Sequence, residues 1–433
     1  MPDSLGQLTA SETVEIIATG QASCQEVARA CLKQIETREP EVGAWAHCDP
    51  ELVIARAAEL DRVGKKGPLR GVPFGAKDII DTFDGPTEYG TPIHQGRQAA
   101  RDAACVALTR RAGGILMGKT VTTEFANVSP GRTRNPHDLT RTPGGSSSGS
   151  AAAVADHMVP LALGTQTTGS TTRPASFCGV FGYRPTYGDL RMSGVMEVAG
   201  SFDTLGILAR SIADVALYRQ VLLGVPPHRL AKEPPPRIGF CRPYFWDRLP
   251  IDTRSLLIET ADRLASGGAE VEEAVLPPEL EELESAHRWV AGFEMARNLT
   301  WEVENRFEMI SEPLRSGRIK DGLATTYERY IEMRRLLVSC RQAAAPVFER
   351  YDLLLAPAAA REAPVGWDPV PDPWVHMLWS ALHVPSLSIP ALKGPKGLPM
   401  GVQLIAGWNR DSQLLSQSAW VYQALATTAW EAV

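Results

Sequence analysis

The residues best suited to chemistry fall in one stretch of the chain. From Thr142 to Ser176 only Asp156 and Arg173 are charged, while twelve of the 35 residues are Ser or Thr. At the charged fraction usual for globular proteins, about eight charges would be expected there. Hydroxyls become nucleophiles when a neighbouring base takes their proton, so a polar loop almost without charge is a candidate catalytic surface. Two turns carry these hydroxyls. Gly144-Gly145-Ser146-Ser147-Ser148-Gly149-Ser150 runs into Ala151-Ala152-Ala153-Val154-Ala155, with glycines that let backbones approach closely and alanines that start a helix. Gly164-Thr165-Gln166-Thr167-Thr168-Gly169-Ser170-Thr171-Thr172-Arg173-Pro174 follows an extended segment, Val159 to Leu163. Successive N–H groups in such a turn can converge on an anion, and a hydroxyl at its end could be a nucleophile facing them.

Other motifs compete. Gly145 to Gly149 matches the G-x-S-x-G nucleophile elbow with Ser147 at its centre. That elbow needs a strand before the serine and a later histidine, for which His376 and His383 stand suitably placed. The residues in front, Asn135 to Gly144, read as a turn-rich loop instead. Gly113-Gly114-Ile115-Leu116-Met117-Gly118-Lys119-Thr120 matches a phosphate loop. Its order is inverted, with helix before and strand after, so no nucleotide site is expected. Seven cysteines are scattered without C-x-x-C pairs, which suggests buried thiols in a reducing compartment rather than zinc or disulfides.

The elements that must position these loops follow from patterning. At 433 residues the chain suggests two or three domains of about 150 residues. A net charge of −6 lacks the basic footprint of a nucleic-acid binder. No run approaches the ~18 apolar residues of a membrane span. Residues 1 to 20 carry Asp3, Glu12 and Glu15 without a basic segment, so no secretory signal is expected and a cytoplasmic protein is. Thr9 to Glu12 and Ser23 to Glu26 fit capping boxes. The helix after Ser23 is expected to end at Pro40, and a third to run from Asp49-Pro50 to Gly64. Gly71 to Lys77 reads as a short strand. Helical patterns at 101–111, 211–223 and 253–265 then alternate with extended ones at 115–117, 159–163, 237–241 and 270–275, which indicates an α/β fold with a mainly parallel or mixed sheet. Residues 278–350 are charged, helical in pattern and rich in aromatics, so they are expected as a helical insertion or pocket wall. Strands return at 352–355, 386–389 and 401–405 before a final helix at 411–426, as if one sheet were built from both ends of the chain.

Taken together, these loops resemble the amidase signature family of serine hydrolases. The similarity rests on Asn135-Pro136, Arg141 to Ala155, Gly164-Thr165 to Ser170, Pro174-Ala175, Cys178-Gly179-Val180 and Gly182 to Pro185. Upstream, Gly71-Val72-Pro73-Phe74-Gly75-Ala76-Lys77-Asp78 is similar to the segment that carries the family's lysine, and Gly118-Lys119-Thr120 with Glu124-Phe125 to a structural turn. Pro385, Ser388-Ile389-Pro390 and Gly397 to Gln403 fit its closing strands. The resemblance implies an amidase signature fold over residues 1–433, a central mixed sheet covered by helices on both faces as one large domain. It implies Ser170 as nucleophile, Ser146 as the serine that relays its proton after a cis peptide, and Lys77 as base. Thr167, Thr168, Gly169 and Ser170 would form the oxyanion hole, and no cofactor or metal is called for.

This chain departs from the family pattern at Gln166 (commonly Asp), Thr168 (Gly), Ser148 (Gly) and Thr171-Thr172-Arg173 (commonly Ile-Arg-Ile/Phe). Those departures favour a free-standing hydrolase of small amides, anilides or carbamates, with an aromatic-lined, uncharged pocket for apolar or aryl substrates. Phe125, Asn127, Val128 and Ser129, with Trp374, His376, Trp379 and His383, are the candidate lining residues. The partner expected is a small-molecule substrate, with neither nucleic acid nor membrane, and with a homodimer left open. The alternative is a glutaminase that resembles the A component of an amidotransferase complex working on aminoacyl-tRNA.

Overall fold

The computed structural model describes residues 2–64, 67–367 and 371–426. The first helices start where the sequence signals them. At α1 (Ala10–Ala18) the Thr9 hydroxyl accepts from Glu12 N–H, while the Glu12 carboxylate accepts from Thr9 N–H at 2.8 Å. Ser23 and Glu26 repeat this at α2 (Cys24–Val42). Pro40 does not end α2. It lies within the last turn, where it forfeits one backbone bond, and the helix stops at Gly43, whose φ of +63° lets its N–H return to Glu39 O. Asp49 caps α3 (Pro50–Val63).

Eleven strands make one mixed sheet: β1 (Trp45–Cys48), β2 (Pro73–Lys77), β3 (Ile115–Thr120), β4 (Leu161–Gln166), β5 (Phe181–Arg184), β6 (Thr204–Ala209), β7 (Arg237–Cys241), β8 (Glu270–Ala274), β9 (Leu353–Pro357), β10 (Ser386–Lys393) and β11 (Pro399–Ile405). Their order is β1-β3-β2-β4-β6-β5-β10-β11-β9-β7-β8. β2 lies parallel to both β3 and β4, and β7 parallel to β8 and β9, while the remaining pairs are antiparallel. β4 sits two residues beyond its expected start, and β1, β5 and β6 were not expected from patterning. The antiparallel pairing of β5 with β10, Ser386 opposite Arg184, joins the early and late parts of the chain into a single domain.

Alternate strand residues enter different cores, as a period of two requires. Leu161 and Leu163 pack in one cluster while Ala162, between them, packs in another; Ile207 and Leu208 divide in the same way. The first cluster is covered by α4 (Ala104–Arg111), α7 (Ile212–Leu223), α8 (Ile251–Ser266) and the final helix Asp411–Ala426. The second is covered by α2 and by α5 (Ser148–Ala155). A short α6 (Thr172–Cys178) follows the second hydroxyl-rich turn, and α9 (Leu283–Asn298) lies in the helical region between β8 and β9. That region also holds the helix Tyr327–Arg350. Among the described residues, no helix is long and apolar enough to cross a membrane.

Candidate active site

β2 lies between β3 and β4 in the sheet, all five of its residues are buried, and it ends at Lys77. There the Lys77 Nζ lies 2.6 Å from Ser146 Oγ and 2.8 Å from Thr165 Oγ1 of β4. Removal from water disfavours the ammonium, which brings the Lys77 pKa down to about 7, partly opposed by the Asp203 carboxylate. The peptide between Gly145 and Ser146 is cis. Ser147 N–H donates to Ser170 O at 3.1 Å, so the two hydroxyl-rich turns run side by side and residue 146 is brought next to residue 170. Ser170 opens to the surface by 9 %.

The turn from β4 to α6 is held by a neutral side chain. Gln166 Oε1 accepts from the N–H groups of Thr171 (2.9 Å) and Thr172 (3.0 Å) and from the Thr172 hydroxyl (3.2 Å). Gln166 and Thr172 thus form a neutral hydrogen-bonded pair. Ahead of α6, the N–H groups of Thr167, Thr168, Gly169 and Ser170 meet no acceptor among the described residues. Buried N–H groups rarely go unpaired, and four in succession beside a serine make a ready anion site.

Two groups near this turn, the buried Asp203 and the half-buried Arg318, carried no signal in the sequence. Asp203, just before β6, accepts from Thr167 Oγ1 at 2.6 Å and from Val198 and Ala199 N–H at 2.7 and 2.9 Å. Burial nevertheless pushes its pKa up to about 7. Arg318 stands on a π-helical turn, Arg315–Ile319, in the helical region between β8 and β9, 148 residues from Ser170. Among the described residues it has no hydrogen bond or ion-pair partner, and it lines the cleft above Ser170.

That cleft, about 40 Å³, is bounded by Ala126, Asn127, Val128, Thr167, Thr168, Arg173, Val198, Arg318 and Pro373. Of the candidate lining residues, Asn127 and Val128 lie on the wall of this cleft. Phe125 is fully buried behind them with its ring centroid 6.1 Å from His94. Trp379 packs into a core cluster, and His383 stacks on Tyr187 at 4.0 Å with its Nε2 held by Arg341 at 2.8 Å. The expectation of an aromatic, uncharged pocket is corrected: no aromatic residue lines the cleft among the described residues, and two guanidiniums do. Arg173 sends Nη1 to Gly145 O at 3.0 Å, and burial lowers its pKa to about 10, so it stays charged at neutral pH.

The competing motifs are structural. Ser147 is fully buried, and its hydroxyl bonds Thr165 O and Thr165 N–H, both at 3.3 Å, so the elbow reading fails. Lys119 of the phosphate-loop pattern is buried on Asp78, Thr87 and Pro86 O. Six of the cysteines are buried and unbridged, and the half-buried Cys48 thiol is pushed up to about 11. A wider groove over α2 and α3, lined in part by Arg29, Lys33, Glu36, Glu39 and Arg132, holds no nucleophile paired with a base among the described residues.

Comparison with known proteins places the chain in a family. The amidase family profile, described as Amidase, matches residues 26–415. The A component of the glutamyl-tRNA(Gln) amidotransferase of Symbiobacterium thermophilum is 34% identical, over 96% of this chain and 96% of that protein. Among solved structures, a crystal structure of an amidase is 27% identical with a TM-score of 0.88, over 96% of this chain and 99% of that one. A chain of a vestigial protein complex that reveals the evolutionary origins of an s-triazine catabolic enzyme is 28% identical with a TM-score of 0.86, over 98% and 99%. A profile that spans Lys77, both hydroxyl-rich turns and the closing strands, on a sheet shared with solved amidases, makes this chain a member of the amidase (amidase signature) family.

Proposed function

We propose that this chain hydrolyses the C–N bond of a small amide carrying an anionic group, through an acyl-enzyme on Ser170. The observation that carries this reading is the 2.6 Å bond between the buried Lys77 Nζ and Ser146 Oγ, beside Ser170. An ordinary lysine is protonated at neutral pH, whereas one brought to about 7 is neutral in a large fraction of molecules. Neutral Lys77 accepts the Ser146 proton as Ser146 accepts that of Ser170, and the Ser170 Oγ attacks the carbonyl. The unpaired N–H groups of residues 167–170 take the oxyanion that forms. Ser146 then returns the proton to the departing nitrogen, which leaves as an amine, and water hydrolyses the ester on Ser170 along the same relay.

The substrate class follows from the walls. A cleft this small takes a carboxamide head more readily than an aryl ring, and Arg318 and Arg173 offer planar donors to a carboxylate. The similarity to the A components of amidotransferases favours a second reading, glutamine hydrolysis within a complex, since the carboxylate of glutamine is an anion of the required kind.

Labelling with a fluorophosphonate followed by peptide mapping tests the first step. The label is expected on Ser170, lost in Ser170→Ala and in Lys77→Ala; a label on Ser147 overturns the proposal. For the substrate, kcat/KM on a neutral amide and on its carboxylated analogue should differ by about tenfold or more in favour of the second, and Arg318→Gln should erase the difference. Glutamine hydrolysis by the purified chain only when partner proteins are added would select the second reading.

A further inference from the structure

The acceptor-free N–H groups are useful only if their peptide planes are aimed at the cleft, and the residues that aim them come from two helices remote in sequence. In a trans peptide the C=O and the following N–H point in opposite directions, so whatever holds the carbonyl fixes the amide. Thr167 O takes a hydrogen bond from His287 Nε2 of α9 at 3.1 Å. The N–H of Thr168 therefore points away from α9. Thr168 O takes a hydrogen bond from Ser380 Oγ at 2.5 Å, in the helix Trp374–Ala381. The N–H of Gly169 is turned away from that helix in the same manner. The carbonyl of Gly169 is itself tied to Arg173 N–H at 3.0 Å, in the first turn of α6.

The surroundings leave these planes little freedom. His287 and Ser380 are both fully buried, and the His287 ring is stacked on Phe202 at 4.2 Å. Burial keeps His287 neutral, with its pKa lowered to about 3, so its single ring proton sits on the nitrogen that faces Thr167 O. His376, one turn before Ser380, fills the space where a side chain on residue 169 would begin: a Cβ there would lie 2.3 Å from the ring. The Thr167 hydroxyl is meanwhile pinned by Asp203.

We propose that His287 and Ser380 are positioning residues that orient the oxyanion donors of Thr168 and Gly169 by holding the carbonyls of Thr167 and Thr168 from behind. This rests on the acyl-enzyme reading given above, and it assigns a share of catalysis to two residues that never touch the substrate. Loss of one oxyanion donor typically costs about 10²–10³ in rate, and a donor left in place but free to rotate forfeits part of that.

The test combines steady-state kinetics with the rate and extent of fluorophosphonate labelling at Ser170, in Ser380→Ala, Ser380→Thr, His287→Phe and His287→Gln. Ser380→Ala and His287→Phe are expected to lower kcat and the labelling rate by about 10- to 100-fold, with KM within about twofold and labelling still reaching completion. Ser380→Thr and His287→Gln, which keep a donor, are expected to recover most of the rate. A purely structural role would instead reduce the fraction of protein that can be labelled while each labelled site reacts at the normal rate, and that result overturns the inference. So does an unchanged rate in Ser380→Ala and His287→Phe when the unsubstituted protein labels at Ser170. If the unsubstituted protein takes no label there, the acyl-enzyme reading falls first and the inference with it.

Discussion

Lys77 is the most informative residue, because one physical cause gives it both its chemistry and its cost. Full burial brings its pKa from 10.5 to about 7, and each unit of such a shift is worth ~1.4 kcal/mol. Between about 7 and 10.5 the unfolded chain binds the proton that the folded chain has released, so stability contributed by this site rises with pH across that window. Below about 7 both states hold the proton and the penalty is greatest. Lys77→Met keeps much of the volume without the charge. It is expected to abolish turnover and to melt at a higher temperature than the unsubstituted protein at pH 6, with the gap closing towards pH 10. A lower melting temperature at pH 6 would show that the hydrogen bonds to Ser146 and Thr165 outweigh the desolvation. The same shift predicts that kcat/KM rises with pH through about 7, as the neutral amine becomes available. A profile already flat from pH 5 would mean that Lys77 is not the base.

At the scale of elements, the sequence revealed what is local and concealed what is not. Capping boxes at Thr9 and Ser23 and the cap at Asp49 involve neighbours three residues apart, and each stands where the pattern put it. The glycine- and serine-rich loop was legible for the same reason, its residues being contiguous. Pro40 misled because a proline in a last turn removes only one bond, which a helix 19 residues long absorbs. Arg318, Asp203, His287 and Ser380 were invisible because only the fold brings them within reach of residues 167–170, and nothing in their own neighbourhoods marks them. The aromatics of the helical region stay away from the cleft, as Phe293 does by stacking on Tyr330 at 4.1 Å. α5 shows where a local rule gives the wrong sign. On helix propensity Gly149→Ala should stabilise by up to about 1 kcal/mol. A Cβ at Gly149, however, would lie 2.2 Å from Ala44 O and 2.4 Å from Val121 N, both backbone atoms. The substitution is therefore expected to destabilise the protein by about 2–3 kcal/mol, read as a lower urea midpoint at unchanged slope. A midpoint equal to or above that of the unsubstituted protein would refute the close packing of α5 beneath the loop.

At the scale of the molecule, the sheet supplies Lys77 and the hydroxyl-rich turns while the helices between β8 and β9 supply Arg318, so substrate selection depends on how these parts are held together. Met295, Leu299, Ile310, Leu314 and Ile319 of this helical region share the apolar core of the sheet, and polar ties near the cleft add direction to that packing. Asn127 Nδ2 meets Met295 Sδ at 3.0 Å, and the hydroxyls of Ser129 and Ser311 bond each other. The Glu124 carboxylate accepts from Ser311 N–H at 3.0 Å and from Thr91 Oγ1 at 3.3 Å. Ser311 lies seven residues before Arg318, with only the turn Glu312–Leu314 and the π-helical turn between them. Glu124 therefore anchors the start of the segment that carries Arg318, without lining the cleft itself. A hydrogen bond to a buried charged group is worth about 1.5–3 kcal/mol, and losing part of that in the bound state corresponds to roughly a tenfold change in affinity. Glu124→Ala is expected to raise KM for a carboxylated amide about tenfold, to change kcat by no more than about threefold, and to leave KM for the neutral analogue nearly unchanged. Fluorophosphonate labelling of Ser170 should proceed at its normal rate in this variant, because Lys77, Ser146 and the oxyanion turn are held from the sheet, α9 and the helix Trp374–Ala381. Equal losses on the charged and neutral amides would show that Glu124 supports the whole cleft rather than the placement of Arg318. A fall in the labelling rate would show that the Ser311 contact also governs how α9 meets the turn.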